Sequence, residues 1–518
     1  MSRIKFPGYL LAYTIIFGSA ITGCNKHDIE PNTNNPGAQE PEPIIPTYDS
    51  IYDASYNLYI VNDDTPNYSP HAPNTPLTKE EEMIGHTLNE YATEMLSEYD
   101  TEGDENIVVS PLSATMLYAM MANFVDESKG ENAFKEGMGI EASNNEDVNT
   151  YFHKYIDMQK EKDVYQNEVD NGISVDNHLW MDKNSSIYNS FLSTAKSYGF
   201  GVKGMDISDE STIETINDAI SSQMGSNDAT LKSSANNGAT SMITSTITFK
   251  NEWETKFYVD STQNNLFTNF NGSTTTCKLL HATRKDRYYK FLYFNMMEIP
   301  YKGFKYSMYI ALPHDGVKLS QVLTELNNKG INQCMEMVSD TTRSYHGEYL
   351  INRDSVTSHG TYAVVDTLIS DTVFNVSIPI FKLCSAMGLN PNSTKGISAT
   401  KSMYKTNMTK VSPNGFKLGN VFQACDFEIN ENGTSASSSG SIPNVWTGVG
   451  VTPHVNEQKS IVVVDGNSTD FEVPKGRKIQ EKVKVPFCVL HPFIVFIRDN
   501  KCGTIPFACS IKRLDANF

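Results

Sequence analysis

The residue types that usually carry catalysis are present in this chain, but not at spacings that let them work together. None of the 11 histidines has a second histidine four residues on, and no HExxH, GxSxG or Walker-type glycine pattern occurs. The eight cysteines, at 24, 277, 334, 384, 425, 488, 502 and 509, form no CxxC pair and no zinc spacing. No catalytic residue, metal or cofactor is therefore expected; His178, His281 and His491 read as packing or surface residues, and Trp180 and Trp253 as core. A different capacity lies in Glu431-Asn432-Gly433-Thr434-Ser435-Ala436-Ser437-Ser438-Ser439-Gly440. A run of small, uncharged side chains can occupy a loop and later enter a β-sheet. Alternate strand residues face opposite sides, so on entry Thr434, Ala436, Ser438, Gly440 and Ile442 share one face, and Ser435, Ser437, Ser439 and Ser441 the other. From Gly433 to Val455 there is no Asp, Glu, Lys or Arg, and proline first enters at Pro443. Taken alone, the run also fits a flexible Gly/Ser-rich linker.

The elements around the run decide between these readings. Val421-Phe422-Gln423-Ala424-Cys425-Asp426-Phe427-Glu428-Ile429-Asn430-Glu431 reads as a strand leading into it. Downstream, Pro492-Phe493-Ile494-Val495-Phe496-Ile497-Arg498-Asp499-Asn500 reads as a buried strand closed by a polar turn before Gly503-Thr504-Ile505-Pro506-Phe507. This arrangement resembles the serpin family, whose Asn-Glu-x-Gly-Thr-like hinge opens a reactive loop and whose Pro-Phe-x-x-x-Ile-Arg-Asp-like strand pair ends the chain. The resemblance extends upstream to Asn106-Ile107-Val108-Val109-Ser110-Pro111-Leu112-Ser113 and to Ile247-Thr248-Phe249-Lys250-Asn251-Glu252-Trp253-Glu254-Thr255-Lys256-Phe257. Further similar pieces are Asn177-His178-Leu179-Trp180, Glu298-Ile299-Pro300-Tyr301-Lys302-Gly303 and Val376-Ser377-Ile378-Pro379-Ile380-Phe381-Lys382. Together they cover about Leu77 to the C-terminus.

The resemblance implies an α+β fold with a large central mixed β-sheet, smaller sheets, surrounding helices and an exposed reactive loop. It also implies a serine-type endopeptidase inhibitor that works as a suicide substrate: a target protease cuts the loop, forms an acyl-enzyme, and is carried away as the loop inserts into the main sheet. Glu431, Gly433, Thr434, Ser435 and Ala436 would be the hinge; Ser110, Ser113, Trp253, Gln423 and Ser245 would lie where the sheet opens. The family commonly has His where Gln423 aligns and Asn where Ser245 aligns, although Gln and Ser retain hydrogen-bonding capacity. Counting seventeen residues from Glu431, inclusive, places the scissile bond at Thr447-Gly448. The loop, about 431–485, carries an insertion that includes Ile461-Val462-Val463-Val464-Asp465-Gly466-Asn467 and Lys475-Gly476-Arg477-Lys478. A cut near Arg477 would suit a trypsin-like enzyme; Thr447 suits an elastase-like or small-pocket one. The expected partner is thus a serine protease, with cysteine proteases as a further class. The lengthened loop keeps a second reading open, a non-inhibitory serpin-fold surface lipoprotein acting as a binding module.

The N-terminus carries Arg3 and Lys5, a short apolar stretch from Tyr9 to Ala20, and Ile21-Thr22-Gly23-Cys24, which reads as an export signal. Its ending resembles a bacterial lipoprotein box, in which residues 1–23 are removed and Cys24 becomes acylated. Multiple acyl chains hold such a protein on a lipid membrane, giving an exported, membrane-anchored lipoprotein at the outer membrane or cell surface. Residues 24–76 hold nine of the 22 prolines and read as a semi-extended tether. Within it, residues 51–61 can dock as an edge strand. A helix is expected after Thr78, with Glu81 three residues on and apolar positions at Leu88, Tyr91, Ala92, Met95 and Leu96, and 77–518 reads as one domain. With 42 basic against 61 acidic residues the net charge is −19, a poor surface for nucleic acid. The basic cluster Arg284-Lys285-Asp286-Arg287 reads as a solvated loop. A monomer is expected. Setting Cys24 aside leaves an odd number of cysteines, and no particular disulfide is expected.

Overall fold

A computed structural model of the chain describes residues 50–63, 76–99, 103–125, 145–160, 172–207, 209–224, 240–259, 265–339, 348–357, 360–388, 408–416, 418–434, 455–456, 460–461, 472–473 and 478–514. All of these belong to the compact unit Pro46–Phe518. The export signal, Cys24, most of the tether, Ser435, Ala436, Thr447, Gly448 and Arg477 lie outside the described residues.

The helix Lys79–Tyr99 begins where a reciprocal cap forms. Thr78 N donates to Glu81 Oε2 at 2.7 Å, and Glu81 N to Thr78 Oγ1 at 3.2 Å. It packs on two further helices, Pro111–Ala122 and Asn145–Lys160. Every residue of Pro111–Ala122 is buried. A helix apolar all round has no solvent face to offer and must run through the core.

Over this layer lies a six-stranded mixed sheet, ordered Phe381–Gly388, Leu418–Ile429, Gly433–Thr434, Ser241–Glu252, Gly172–Asp182, Phe200–Met205. The helix Glu210–Met224 covers its outer face through Ile216, Ile220 and Met224 against Trp180, Met242 and Ala424. A second six-stranded sheet contains the C-terminal pair Phe493–Asp499 and Phe507–Ile511. Phe249, Phe427, Phe507 and Trp253 fill a core shared by elements of both sheets. A third sheet joins Lys478–Cys488 in parallel to the long strand Gly360–Pro379.

The structure extends one local expectation and departs in part from another. Residues Ser50–Asp53 and Leu58–Val61 form a hairpin whose second strand pairs with Ser186–Tyr188, and Leu58 is wholly buried. The Arg284–Arg287 cluster is solvated only in part: Lys285 and Arg287 are exposed, but Arg284 is not. Arg284 is buried, paired with Asp286 and donating to the Thr255 carbonyl, because partners of this kind offset the cost of taking a guanidinium out of water.

Among the described residues no helix is long and apolar enough to cross a membrane. Cys277, Cys334, Cys502 and Cys509 are buried free thiols, Cys425 is buried, and Cys488 is an exposed free thiol.

Candidate functional site

The hinge is built where two strands part. Leu418–Ile429 runs parallel to Ser241–Glu252, with Leu418 opposite Ser241 and, after a register shift, continuous pairing from Val421 opposite Ile243 to Asp426 opposite Thr248. Beyond Thr248 the two separate and the chain turns back between them. Asn430 shapes that turn: its backbone N–H donates to Gly433 O at 2.9 Å, and its Oδ1 accepts from the N–H groups of Asn432 and Gly433 at 3.0 and 3.2 Å. Gly433 and Thr434 then enter the gap as a short strand antiparallel to both neighbours, with Thr434 opposite Ile429 on one side and Asn251 on the other.

Thr434 points into the core. It is 1% exposed, and its hydroxyl shares a 2.6 Å hydrogen bond with the Tyr301 phenol. Tyr301 is fixed by Trp253, whose indole stacks on it at 4.5 Å between centroids and 12° between planes. Trp253 Nε1 donates to Asn430 O at 2.9 Å and its backbone N–H to Asn432 O at 2.9 Å. Burial pushes the Tyr301 phenol far above its usual range, so it remains a neutral hydroxyl. Gly433 is required here: a Cβ would fall 1.9 Å from Asn251 O. Glu431 lies in the turn outside the strand, its backbone carbonyl accepting from Phe257 N at 3.3 Å.

A second polar cluster lies under the middle of the sheet. Gln423 clasps the start of the buried helix Pro111–Ala122: Oε1 accepts from Ser110 N at 2.7 Å, and Nε2 donates to Ser110 O at 2.9 Å and Ser113 Oγ at 2.6 Å. Ser110 Oγ caps the same helix by accepting from Ser113 N. Ser245 stands opposite Gln423 across the parallel seam, yet its buried hydroxyl has no partner among the described residues. Of the residues expected to control opening, Ser110, Ser113 and Gln423 come together, Ser245 adjoins them without bonding, and Trp253 belongs to the hinge turn. Tyr301, Asn430 and Asn251 are the contacts that sequence reasoning missed. Asn430 had a local signal, an Asn one residue before the hinge Glu in a turn. Tyr301 had none, because it is 133 residues from Thr434.

The far end of the loop is also anchored. Val455–Asn456 pairs antiparallel with Lys478 and Ile479, and Ser460–Ile461 pairs with Glu472–Val473. The insertion therefore leaves and returns at one place, since Val455 and Ile479 are strand partners. It adds little to the reach of the loop proper, which runs from Thr434 to Val455.

Residues 86–346 match the family model described as Serpin (serine protease inhibitor). Among curated proteins the chain is 23% identical to the leukocyte elastase inhibitor of Homo sapiens over 421 residues, 80% of this chain and 93% of that protein. It is 24% identical over 378 residues to an uncharacterized serpin-like protein of Methanosarcina acetivorans, 70% of this chain and 77% of that one. Among solved structures it is similar to the thermophilic serpin Tengpin in the native state, with a TM-score of 0.61 and 18% identity over 86% of this chain and 98% of that one. It is similar also to thyroxine-binding globulin in complex with thyroxine, with a TM-score of 0.59 and 14% identity over 84% and 99% of the two chains. The six-stranded sheet, the hinge strand seated in it and the matched half of the chain agree, and the protein belongs to the serpin family.

Proposed function

We propose that this serpin inhibits a serine endopeptidase as a suicide substrate, with the cut loop continuing the strand that Gly433 and Thr434 begin. The observation that carries this reading is the register of those two residues. Gly433 opposite Glu252 and Thr434 opposite Asn251 and Ile429 extend, residue by residue, to Ala436 between Phe249 and Phe427 and Ser438 between Ile247 and Cys425. Gly440 then falls between Ser245 and Gln423, and Ile442 between Ile243 and Val421. The parallel seam already pairs Ile247 with Cys425, Ser245 with Gln423 and Ile243 with Val421, so from Ser438 to Ile442 one register serves both sides. Side chains small enough for a packed interior fall where the flanks are largest, and an isoleucine falls between two aliphatic residues.

The slot closes at Ser241 and Leu418, which the same register places opposite Asn444 and Val445. The bulky Trp446 falls one residue beyond that end, and the scissile bond at Thr447-Gly448 follows it. Everything that must insert therefore lies before the cut. In the sequence Arg477 lies well past Trp446, at the end of the insertion and one residue before Lys478, where the chain rejoins the third sheet, which argues against a trypsin-type bait. Full entry replaces one parallel ladder with two antiparallel ones. The net gain of about ten residues' backbone hydrogen bonds, at roughly 0.5–1.5 kcal/mol each, is on the order of 10 kcal/mol. This is comparable to the ~5–15 kcal/mol stability of a whole domain, enough to distort a captured enzyme before water releases it.

Mixing the protein with elastase-like, trypsin-like and cysteine proteases and resolving the products under denaturing conditions tests this. A covalent band at the summed mass with an elastase-like enzyme is expected. Cleavage at Thr447-Gly448 without such a band against any enzyme would leave the second reading, a non-inhibitory binding module. The N-terminal sequence supports an exported protein held on a membrane by acylated Cys24. Fatty-acid labelling lost in Cys24→Ala tests that separately.

A further inference from the structure

The N-terminal hairpin is joined to the main sheet at the end opposite the hinge. Gly204, in the edge strand Phe200–Met205, donates its N–H to Tyr56 O at 2.7 Å and accepts from Asn57 Nδ2 at 2.9 Å. Both outward-facing backbone groups of an edge residue are thereby occupied. The fit is close: a Cβ on Gly204 would lie 2.1 Å from Asn57 O and 2.8 Å from Leu58 Cδ2. Asn57 adopts a φ of 55°, a conformation Asn tolerates better than most residues. Leu58 is wholly buried, Lys196 lies 4.4 Å over the Tyr56 ring, and the Asp63 carboxylate accepts from Ser190 N and Oγ at the start of the helix Asn189–Ser197.

From this hairpin a second route leads back to the other half of the sheet. Tyr59–Val61 pairs with Ser186–Tyr188, and Tyr188 N donates to Val411 O at 3.0 Å in the segment that precedes Leu418. Across the sheet itself, Gly204 is opposite Met181, Met181 opposite Ser241, and Ser241 opposite Leu418. The two routes close a ring around the end of the seam between Ser241–Glu252 and Leu418–Ile429. Admitting one more strand at that end must move Gly204 away from Leu418 by about one strand spacing, ~4.8 Å. No backbone hydrogen bond stretches that far, so the bond from Tyr188 N to Val411 O, where this route crosses to the other half, must break or its segments must shift; the hairpin bears on it by holding Ser186–Tyr188.

We propose that residues 50–63 fasten this end of the main sheet, with Asn57, Leu58 and Gly204 as the positioning residues, and so set how readily the seam opens through to its last pairs. The proposal rests on the insertion reading for its consequence, but the fastening can be measured without it. Hydrogen exchange on the full chain compares wild type with Gly204→Val, which drives a side chain into Asn57 O, and Leu58→Ala, which empties the buried seat. Ile51→Ala, at an exposed position of the hairpin, is the control. In both variants the amides of Tyr59–Val61 and of Val421–Gln423 are expected to exchange about tenfold or more faster, while Phe493–Ile497 keeps its protection, reporting an intact fold. Seam amides that stay protected once the hairpin amides are exposed overturn the proposal. Hairpin amides that stay protected in both variants overturn it too, since these contacts would then not be what holds it. Loop cleavage in wild type judges the insertion reading by itself: no rise in thermal midpoint there would leave the exchange result standing.

Discussion

The hydroxyls of Tyr301 and Thr434 lie 2.6 Å apart in a buried site, so the first residue of the loop is already part of the sheet before any protease arrives. On the proposed mechanism, insertion would not need to nucleate. It would continue a strand whose first antiparallel pairs exist, and would have to overcome the parallel pairing that begins at Thr248 and Asp426.

Tyr301→Phe keeps the ring stacked on Trp253 and removes one partner of Thr434. A buried hydroxyl left without a partner costs about 1–3 kcal/mol. The hinge strand should detach more often while the rest of the sheet is unaffected, seen as faster hydrogen exchange at Gly433 and Thr434 with little change at Val421–Gln423. Equal loss of protection along the whole seam would mean that Tyr301 supports the sheet generally and not the hinge.

Gln423→Leu removes the clasp on Ser110 and Ser113 while keeping bulk in the sheet. It leaves the backbone N–H of Ser110 without its acceptor, while the Ser110 carbonyl keeps the helical bond from Ala114 N. An orphaned buried group costs about 1–3 kcal/mol, so a loss of roughly 1–3 kcal/mol in native stability is expected, read from denaturant unfolding. Ser245→Ala, whose hydroxyl has no partner among the described residues to lose, should be neutral or slightly stabilising. The contrast between the two variants is the check.

The thiols give a pH-dependent prediction. Burial pushes Cys334 up to about 12, and Cys502 well above its usual range through burial with Asp499 nearby. At neutral pH a thiol reagent should therefore label the exposed Cys488 first and leave Cys334, Cys502 and Cys509 intact, as peptide mass mapping would show. Because the folded pKa is raised, the unfolded chain loses its thiol proton first. Stability from this source is fully present below the ordinary thiol pKa of 9.0 and is lost as pH rises toward about 12. Early labelling of Cys334 would show that its helix, Ile331–Ser339, opens locally.

What could be read from the chain and what could not divide by sequence distance. The hinge run, the strand before it and the strand pair that closes the chain are local patterns of side-chain size and alternation, visible without partners. The facing of Thr434 followed from alternation once a sheet was assumed. That residues 51–61 can dock was legible from their strand-like pattern, but their hairpin form and their seat were not, since the seat depends on Gly204 receiving Asn57, 147 residues away. The length of the loop misled for a related reason. Counting residues from Glu431 to Pro492 treats the insertion as reach, whereas the pairing of Val455 with Ile479 short-circuits it.

Cutting the loop between Thr434 and Val455 should raise the thermal midpoint, because the freed segment can then satisfy backbone groups on both sides of the slot. The charge test locates the effect. Thr434→Arg must place a guanidinium where Thr434 now meets Tyr301, with no carboxylate contacting Thr434 or Tyr301 among the described residues, and an unpaired buried charge costs several kcal/mol even after relaxation. The hinge should be expelled, and cleavage should then yield product without a stabilised, loop-inserted form. Ser435→Arg, next along and on the opposite face by alternation, should still show the rise in midpoint and, if the protein inhibits, still form covalent complex. The measurement is the change in thermal midpoint on a single cut, with the ratio of complex to cleaved product against one protease, for wild type and both variants. Equal behaviour of the two arginine variants would contradict the inward facing of Thr434, and a wild-type midpoint that does not rise would contradict insertion itself.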